Sequence, residues 1–250
     1  MIRGMIFDLD GTLVKTEQLK AASYAQAAVK LSSKLLKEKD VIEAYKVVIG
    51  RSREEIASSM VTRFHLEQKA QSFMTELGVS SPWQVLLQMR LHIYESLISD
   101  PQVLRKNQWP YTTALLHEAR QANCKIALAT MSLCDQVQQI LNALSLKNAF
   151  DYILTADDIE RGKPDPQIYA LAIKKMELLP HQCLVIEDSA PGVQAALAAG
   201  AWCIAVTTPF TREKMYSEKF LDEKWVVDDP NRLAEVVKKM VNERKMESRD

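Results

Sequence analysis

Near its N-terminus the chain reads Met5-Ile6-Phe7-Asp8-Leu9-Asp10-Gly11-Thr12. Residues two apart on an extended strand point the same way, so Asp8 and Asp10 would crowd one small space where a buried apolar run ends. Like charges so placed resist ionising together, and buried acids without partners are costly. A cation or a shared proton relieves that cost, so the pair suggests a metal site or an acid/base pair. An ordinary strand-to-turn transition accounts for one Asp and a Gly, but not for two acids.

Three further segments could join them. In Leu184-Val185-Ile186-Glu187-Asp188-Ser189 a second apolar run ends in two acids, and capping the next helix uses only one polar side chain. Together with Asp8 and Asp10, Glu187 and Asp188 would gather four carboxyl groups at one sheet edge. Hard oxygen ligands in that number suit Mg²⁺, which keeps several waters and partners phosphate. Thr130 closes the apolar run Ile126–Ala129, and a hydroxyl at the carboxyl end of a parallel strand faces the crevice where such sheets bind ligands. Thr130, with Ser132 beside it, can donate to a phosphoryl oxygen. In Arg161-Gly162-Lys163-Pro164-Asp165-Pro166, Asp165 suits a helix N-cap and Pro166 the first helical position. That leaves Lys163 unexplained, and a fixed ammonium beside acids can neutralise charge and hold an anion. Gly11, Gly50, Gly162 and Gly192 each lie beside a polar constellation, where backbone must turn or approach a ligand closely.

The elements that would position these groups follow from hydrophobic pattern. Short apolar runs at Met5–Phe7, Ile126–Ala129, Tyr152–Leu154, Leu184–Ile186, Cys203–Val206 and Trp225–Val227 predict strands buried on both faces. Amphipathic stretches at Thr112–Gln121, Cys134–Leu144, Gln167–Met176, Val193–Ala199 and Asn231–Val241 predict helices between them. The alternation predicts a doubly wound, Rossmann-like α/β core with a parallel sheet. From about residue 16 to 105 the pattern is helical throughout, and so long a connection needs its own structure. We therefore expect a core of residues 1–15 and 106–250, interrupted by an all-helical cap domain, 16–105. The charged end, Glu243 to Asp250, is expected to fray.

Composition narrows the function. The 250 residues hold 32 Lys plus Arg against 32 Asp plus Glu, which offers no basic surface for nucleic acid. No apolar stretch is long enough for a bilayer, and the opening Met1-Ile2-Arg3-Gly4 carries no secretory pattern. Cys124, Cys134, Cys183 and Cys203 form no C-x-x-C pair and read as buried free thiols in a reducing compartment. The expectation is a cytoplasmic protein, a monomer, since no exposed heptad seam demands a partner.

The four segments in this order resemble the haloacid dehalogenase superfamily of phosphohydrolases, and the Gly162–Pro166 and Ile186–Ala196 runs resemble its branch of β-phosphoglucomutases and sugar-phosphate phosphatases. The resemblance implies a helical cap that closes over the site, and a Mg²⁺-dependent phosphomonoester hydrolase acting on a small phosphorylated metabolite. Asp8 would be the nucleophile that forms an aspartyl-phosphate, and Asp10 the general acid and base. Mg²⁺ would bind the Asp8 carboxylate, the Asp10 backbone carbonyl and Asp188, with Glu187 ligating directly or through water. Thr130 and Lys163 would hold phosphoryl oxygens. Arg53 matches a substrate-binding cap arginine; equally, Ser52 and Glu55 form a capping box that makes Arg53 an exposed first-turn residue. A phosphosugar mutase is the alternative, but Lys20, Leu133 and Cys134 stand where the mutases carry His, Lys and Asn. A non-catalytic phosphate-binding protein would be expected to lack Asp8, Asp10 or Lys163.

Overall fold

The computed structural model describes residues 1–48 and 53–247. Strand β1 (Gly4–Phe7) opens the chain, and five helices follow: α1 (Thr16–Leu31), α2 (Glu38–Val48), α3 (Arg53–Arg63), α4 (Glu67–Leu77) and α5 (Pro82–Ser99). Helices α6 (Pro101–Lys106) and α7 (Pro110–Gln121) lead into β2 (Lys125–Ala129), α8 (Cys134–Ala143), β3 (Tyr152–Leu154) and α9 (Gln167–Lys175). Then come β4 (Cys183–Glu187), α10 (Ala190–Ala198), β5 (Trp202–Val206), α11 (Arg212–Glu218), β6 (Val226–Val227) and α12 (Leu233–Glu247). The chain divides into two compact units, Met1–Lys15 with Leu104–Asp250, and Thr16–Val103.

In the first unit the strands form one parallel sheet in the order β3-β2-β1-β4-β5-β6. The fold is the expected Rossmann-like doubly wound α/β core with an all-helical insertion. The apolar runs lack the in/out alternation of a half-exposed strand because helices cover them: β1 is buried at every residue. Ile6, Ala127, Val185 and Cys203 share one cluster with Ile168, Tyr169 and Ala172 of α9 and Val193 and Ala196 of α10. The strand order reverses beside β1, since β2 and β3 lie on one side of it and β4 to β6 on the other. Ligands of open α/β sheets bind at such a reversal, outside the carboxyl ends of the strands. In the register, Phe7 is paired with Leu128 and Ile186, so one step further Asp8, Ala129 and Glu187 stand level.

The helical unit is built on α5, against which α1, α3 and α4 pack, while α2 packs on α1. Leu19, Tyr24 and Ala28 of α1, Val41 and Tyr45 of α2, Ile56 and Met60 of α3, and Val85 and Tyr94 of α5 are buried. Helix α5 starts cleanly: Pro82 occupies the first turn, and the Gln84 side chain accepts from the Ser81 backbone N–H at 3.0 Å.

Three details differ from the pattern-based expectation. Helix α12 continues to Glu247 rather than fraying from Glu243. Helix α7 starts at Pro110, where the missing N–H costs nothing. Cys134 is exposed and Cys124 partly exposed, and only Cys183 and Cys203 are buried. Gly50, Arg51 and the proposed Ser52 cap lie outside the described residues. Among the described residues no helix is long and apolar enough to cross a membrane.

The central strand sets the stability of this unit. Ile6 is fully buried, so Ile6→Ala should cost about 2–5 kcal/mol, transfer and cavity terms together. Urea unfolding measures this, and a loss below about 1 kcal/mol would remove Ile6 from the core.

Candidate active site

Three strand ends and one loop bring the polar groups of the first unit together. Asp8 directly follows β1, and its N–H still donates to the Ile186 carbonyl at 3.0 Å. The chain then turns tightly: Gly11 N–H donates to Val14 O at 2.7 Å, with Gly11 at φ +82°. A Cβ at Gly11 would overlap the Asp188 carboxylate, so only glycine meets both the left-handed backbone and the close approach.

Lys163 is the hub. Its Nζ donates to Asp8 Oδ1 at 2.6 Å, to Glu187 Oε1 at 2.7 Å and to the Ala129 carbonyl at 3.2 Å. These are the three residues that the register makes level, one from each of three neighbouring strands, and together they use all three ammonium donors. The side chain is 6% exposed and lies over the Tyr169 ring at 4.8 Å. Asp165, expected as the N-cap behind Lys163, accepts from Gln167 N–H at 3.0 Å, and Pro166 takes the cap position itself.

Glu187 was expected near the metal, and its side chain is instead saturated within the protein. Oε1 accepts from Lys163 and from the Tyr169 hydroxyl at 2.9 Å; Oε2 accepts from Asp188 N and Ser189 N at 2.8 Å each and from Ser189 Oγ at 2.9 Å. A Cβ at Gly192 would overlap this carboxylate. Ser189 also caps α10, its Oγ accepting from Gly192 N–H at 3.1 Å. Glu187 is thus the counter-charge that seats Lys163.

Thr130 and Ser132, expected on phosphoryl oxygens, both reach Asp10. Ser132 Oγ donates to Asp10 Oδ2 at 2.5 Å and Thr130 Oγ1 to the same oxygen at 3.4 Å, while Thr130 Oγ1 accepts from Ser132 N–H at 3.1 Å. Asp8 and Asp10 therefore have different partners: an ammonium for the first, hydroxyls for the second. Arg53 belongs to the helical unit, as the exposed first residue of α3.

The electrostatics follow from burial. Burial pushes the Asp8 carboxyl up to about 8, with Glu187 and Asp10 adding to the rise and Lys163 opposing it. Burial works to lower the Lys163 pKa, but Asp8 and Glu187 outweigh it and hold the ammonium above the usual lysine range. Burial likewise raises Glu187, and Lys163 with the hydrogen bonds overrides it, leaving that carboxylate ionised below its ordinary value.

One ammonium shared between Asp8 and Glu187 leaves Asp8 short of positive charge. Among the described residues no three His, Cys, Asp or Glu side chains converge as a ligand set. With the Glu187 side chain committed to Lys163 and that of Asp10 to Ser132 and Thr130, the donor set reduces to Asp8 and the buried Asp188, with the Asp10 carbonyl as the backbone group that the resemblance implies. Two buried carboxylates are hard oxygen donors of the kind Mg²⁺ takes, so the residues fit that ion.

Sequence reasoning missed Tyr169. The residue is fully buried, and a buried hydroxyl needs a partner, but nothing in its sequence context names Glu187 as that partner.

Comparisons place the chain. The haloacid dehalogenase-like hydrolase family matches residues 2–200. The phosphorylated carbohydrates phosphatase of Thermotoga maritima is 25% identical over 199 residues, covering 80% of this chain and 82% of that protein. The β-phosphoglucomutase of Bacillus subtilis is 27% identical over 205 residues, covering 82% and 83%. The crystal structure of β-phosphoglucomutase from Clostridium difficile superposes with a TM-score of 0.63 at 25% identity, covering 98% of this chain and 100% of that one.

Two measurements probe the site. Gly192→Ala should displace Glu187 and destabilise the protein by about 1–3 kcal/mol, the range for a buried polar group left unsatisfied; thermal unfolding unchanged within error would contradict the packing. Adding Mg²⁺ at about 100 times its Kd should stabilise the wild type by about 2.7 kcal/mol through mass action, and Asp188→Asn should remove most of that gain; equal stabilisation of both proteins would place the ion elsewhere. By its motif match, its fold and this set of strand-end acids, the chain belongs to the haloacid dehalogenase-like hydrolases, in the branch of β-phosphoglucomutases and sugar-phosphate phosphatases.

Proposed function

We propose that this chain is a Mg²⁺-dependent phosphomonoester hydrolase acting on a small phosphorylated metabolite, a sugar phosphate by the company of its relatives, through an aspartyl-phosphate. The observation that carries the reading is the separation of the two aspartates. Asp8 is buried against Lys163, and Asp10 is held by Ser132 and Thr130.

In the first step an Asp8 oxygen forms a bond to phosphorus and the ester P–O bond breaks. Lys163 fixes the Asp8 carboxylate through Oδ1, so the attacking group is oriented before substrate arrives. Asp10 gives its proton to the departing ester oxygen. In the second step Asp10 takes a proton from water, the water oxygen bonds to phosphorus, and the bond to Asp8 breaks. General acid and base work of this kind contributes about 10²- to 10⁴-fold. Ser132 keeps Asp10 aimed through both steps, and Lys163 offsets the charge on Asp8 and on the phosphoryl group. When bound, Mg²⁺ supplies the positive charge that the four carboxyl groups lack and draws charge from the phosphoryl oxygens.

The mutase reading draws on the similarity to β-phosphoglucomutases. Against it, Leu133, the N-cap of α8, and Cys134, its first residue, are exposed and offer no cation to a second phosphate. The free thiols favour a reducing, cytoplasmic setting.

Hydrolysis of p-nitrophenyl phosphate with Mg²⁺ tests the reaction class, and a broad phosphate ester panel with no turnover would overturn it. Asp8→Asn should abolish turnover with unfolding unchanged; retained activity would displace Asp8 as nucleophile. Asp10→Asn should slow phosphorylation and dephosphorylation alike in single-turnover kinetics, by about 10²- to 10⁴-fold, and an effect on one step alone would require a second base.

A further inference from the structure

Helix α9 begins just after the loop that carries Lys163, and Tyr169 stands in its first turn. Tyr169 is fully buried in one apolar cluster with Ile168, Ala172, Val185 and Cys203. A phenylalanine would fill that cluster and bring no polar atom in need of a partner. The hydroxyl therefore calls for its own reason. It donates to Glu187 Oε1 at 2.9 Å, the same oxygen that accepts from Lys163 at 2.7 Å. The Tyr169 ring also faces the Lys163 ammonium at 4.8 Å. One side chain thus meets both members of the buried ion pair, its ring the cation and its hydroxyl the anion.

The two oxygens of Glu187 are held by different means. Oε2 accepts from Asp188 N–H, Ser189 N–H and Ser189 Oγ, all in the turn that follows β4. Oε1 accepts from Lys163 and Tyr169. Lysine is a long side chain with four rotatable carbons, whereas a buried tyrosine ring on a helix has little freedom. The hydroxyl is therefore the rigid tie on Oε1. Without it, the carboxylate would pivot about Oε2 and take the ammonium with it. Lys163 also holds Asp8 Oδ1 at 2.6 Å, so that movement would come at the expense of Asp8.

We propose that Tyr169 is a positioning residue: its hydroxyl fixes Glu187 Oε1 and, through it, keeps the Lys163 ammonium on Asp8. The effect on turnover rests on the phosphomonoesterase reading, in which Asp8 attacks phosphorus; the seating of Lys163 does not. A residue that aims the attacking group should alter the rate of attack more than the binding of the ester.

Tyr169→Phe is the test, because it keeps the ring against Lys163 and removes only the hydroxyl. In full-length protein with ¹⁵N-lysine, the buried Lys163 ammonium should give a slowly exchanging resonance, assigned by its absence from Lys163→Arg. Tyr169→Phe should speed its hydrogen exchange by about 10-fold or more, the size of one hydrogen bond to a charged group. An unchanged exchange rate overturns the proposal. With p-nitrophenyl phosphate and Mg²⁺, the single-turnover rate of nitrophenol release should fall about 10-fold in Tyr169→Phe, while the half-saturating ester concentration of that phase stays within about twofold. A lowered unfolding midpoint with that rate unchanged would make Tyr169 a packing residue only and overturn the proposal, as would a loss carried by ester binding. In a Glu187→Gln background, Tyr169→Phe should slow release little further; fully additive losses would mean that Tyr169 does not act through Glu187. Were Lys163→Arg or Glu187→Gln to misfold, the single-turnover comparison of Tyr169→Phe with wild type still decides. Absence of all hydrolysis by the wild type would overturn the phosphomonoesterase reading, while the exchange rate, measured without substrate, judges Tyr169 separately.

Discussion

One buried ammonium ties the catalytic end of the sheet together. Lys163 spends its three N–H groups on β1 through Asp8, on β2 through the Ala129 carbonyl and on β4 through Glu187. Such a contact exists only where three parallel strands end at the same height, which the pairing of Phe7 with Leu128 and Ile186 ensures. The dependence runs the other way too. Two acids 5–7% exposed or less cannot both be ionised in that space without a cation. Glu187 is held ionised by Lys163 and four further donors, so the cation and its first anion form a fixed pair. Asp8 is the second anion, and it is the one left under-compensated. A group that is pre-aimed yet short of positive charge is suited to receive both a hard cation and a phosphoryl group.

The same logic divides acids that look alike in sequence. Glu187 and Asp188 are neighbours, yet the first faces Lys163 and Tyr169 while the second lies against Gly11. Asp8 and Asp10 are two residues apart, yet one meets an ammonium and the other the hydroxyls of Ser132 and Thr130. Environment, not residue type, assigns the roles. Hydroxyl donors hold Asp10, whereas an ammonium fixes Asp8.

The apolar runs of β1, β2 and β4 were legible because parallel strands buried on both faces have no alternation to obscure them. The acids after β1 and β4 were legible because charge at the end of such a run needs a reason. Gly11 and Gly192 were visible as glycines beside acids, though only the folded chain gives the cause, the Asp188 and Glu187 carboxylates filling the space of a Cβ. What the sequence hid are pairings across long separations. Ser132 is 122 residues from Asp10, and its hydroxyl suits an acid as well as a phosphate. Glu187 offered itself as a metal ligand, directly or through water, and in the fold its side chain meets Lys163 and Tyr169, which arrive from another loop and helix.

Arg90 shows the opposite limit of sequence reading. Arginine on a helix between apolar residues reads as a surface position, where its charge is solvated and needs no partner. Burial reverses that meaning. Inside the helical unit the same side chain has no carboxylate partner among the described residues and lies over the rings of Tyr24 and Tyr94. Aromatic faces stabilise a guanidinium but do not satisfy its N–H groups. An unsatisfied buried donor persists in a native protein where a ligand supplies the missing acceptor or where strain serves function. Among the described residues no carboxylate pairs with Arg90, and its buried Nε has no hydrogen-bond partner.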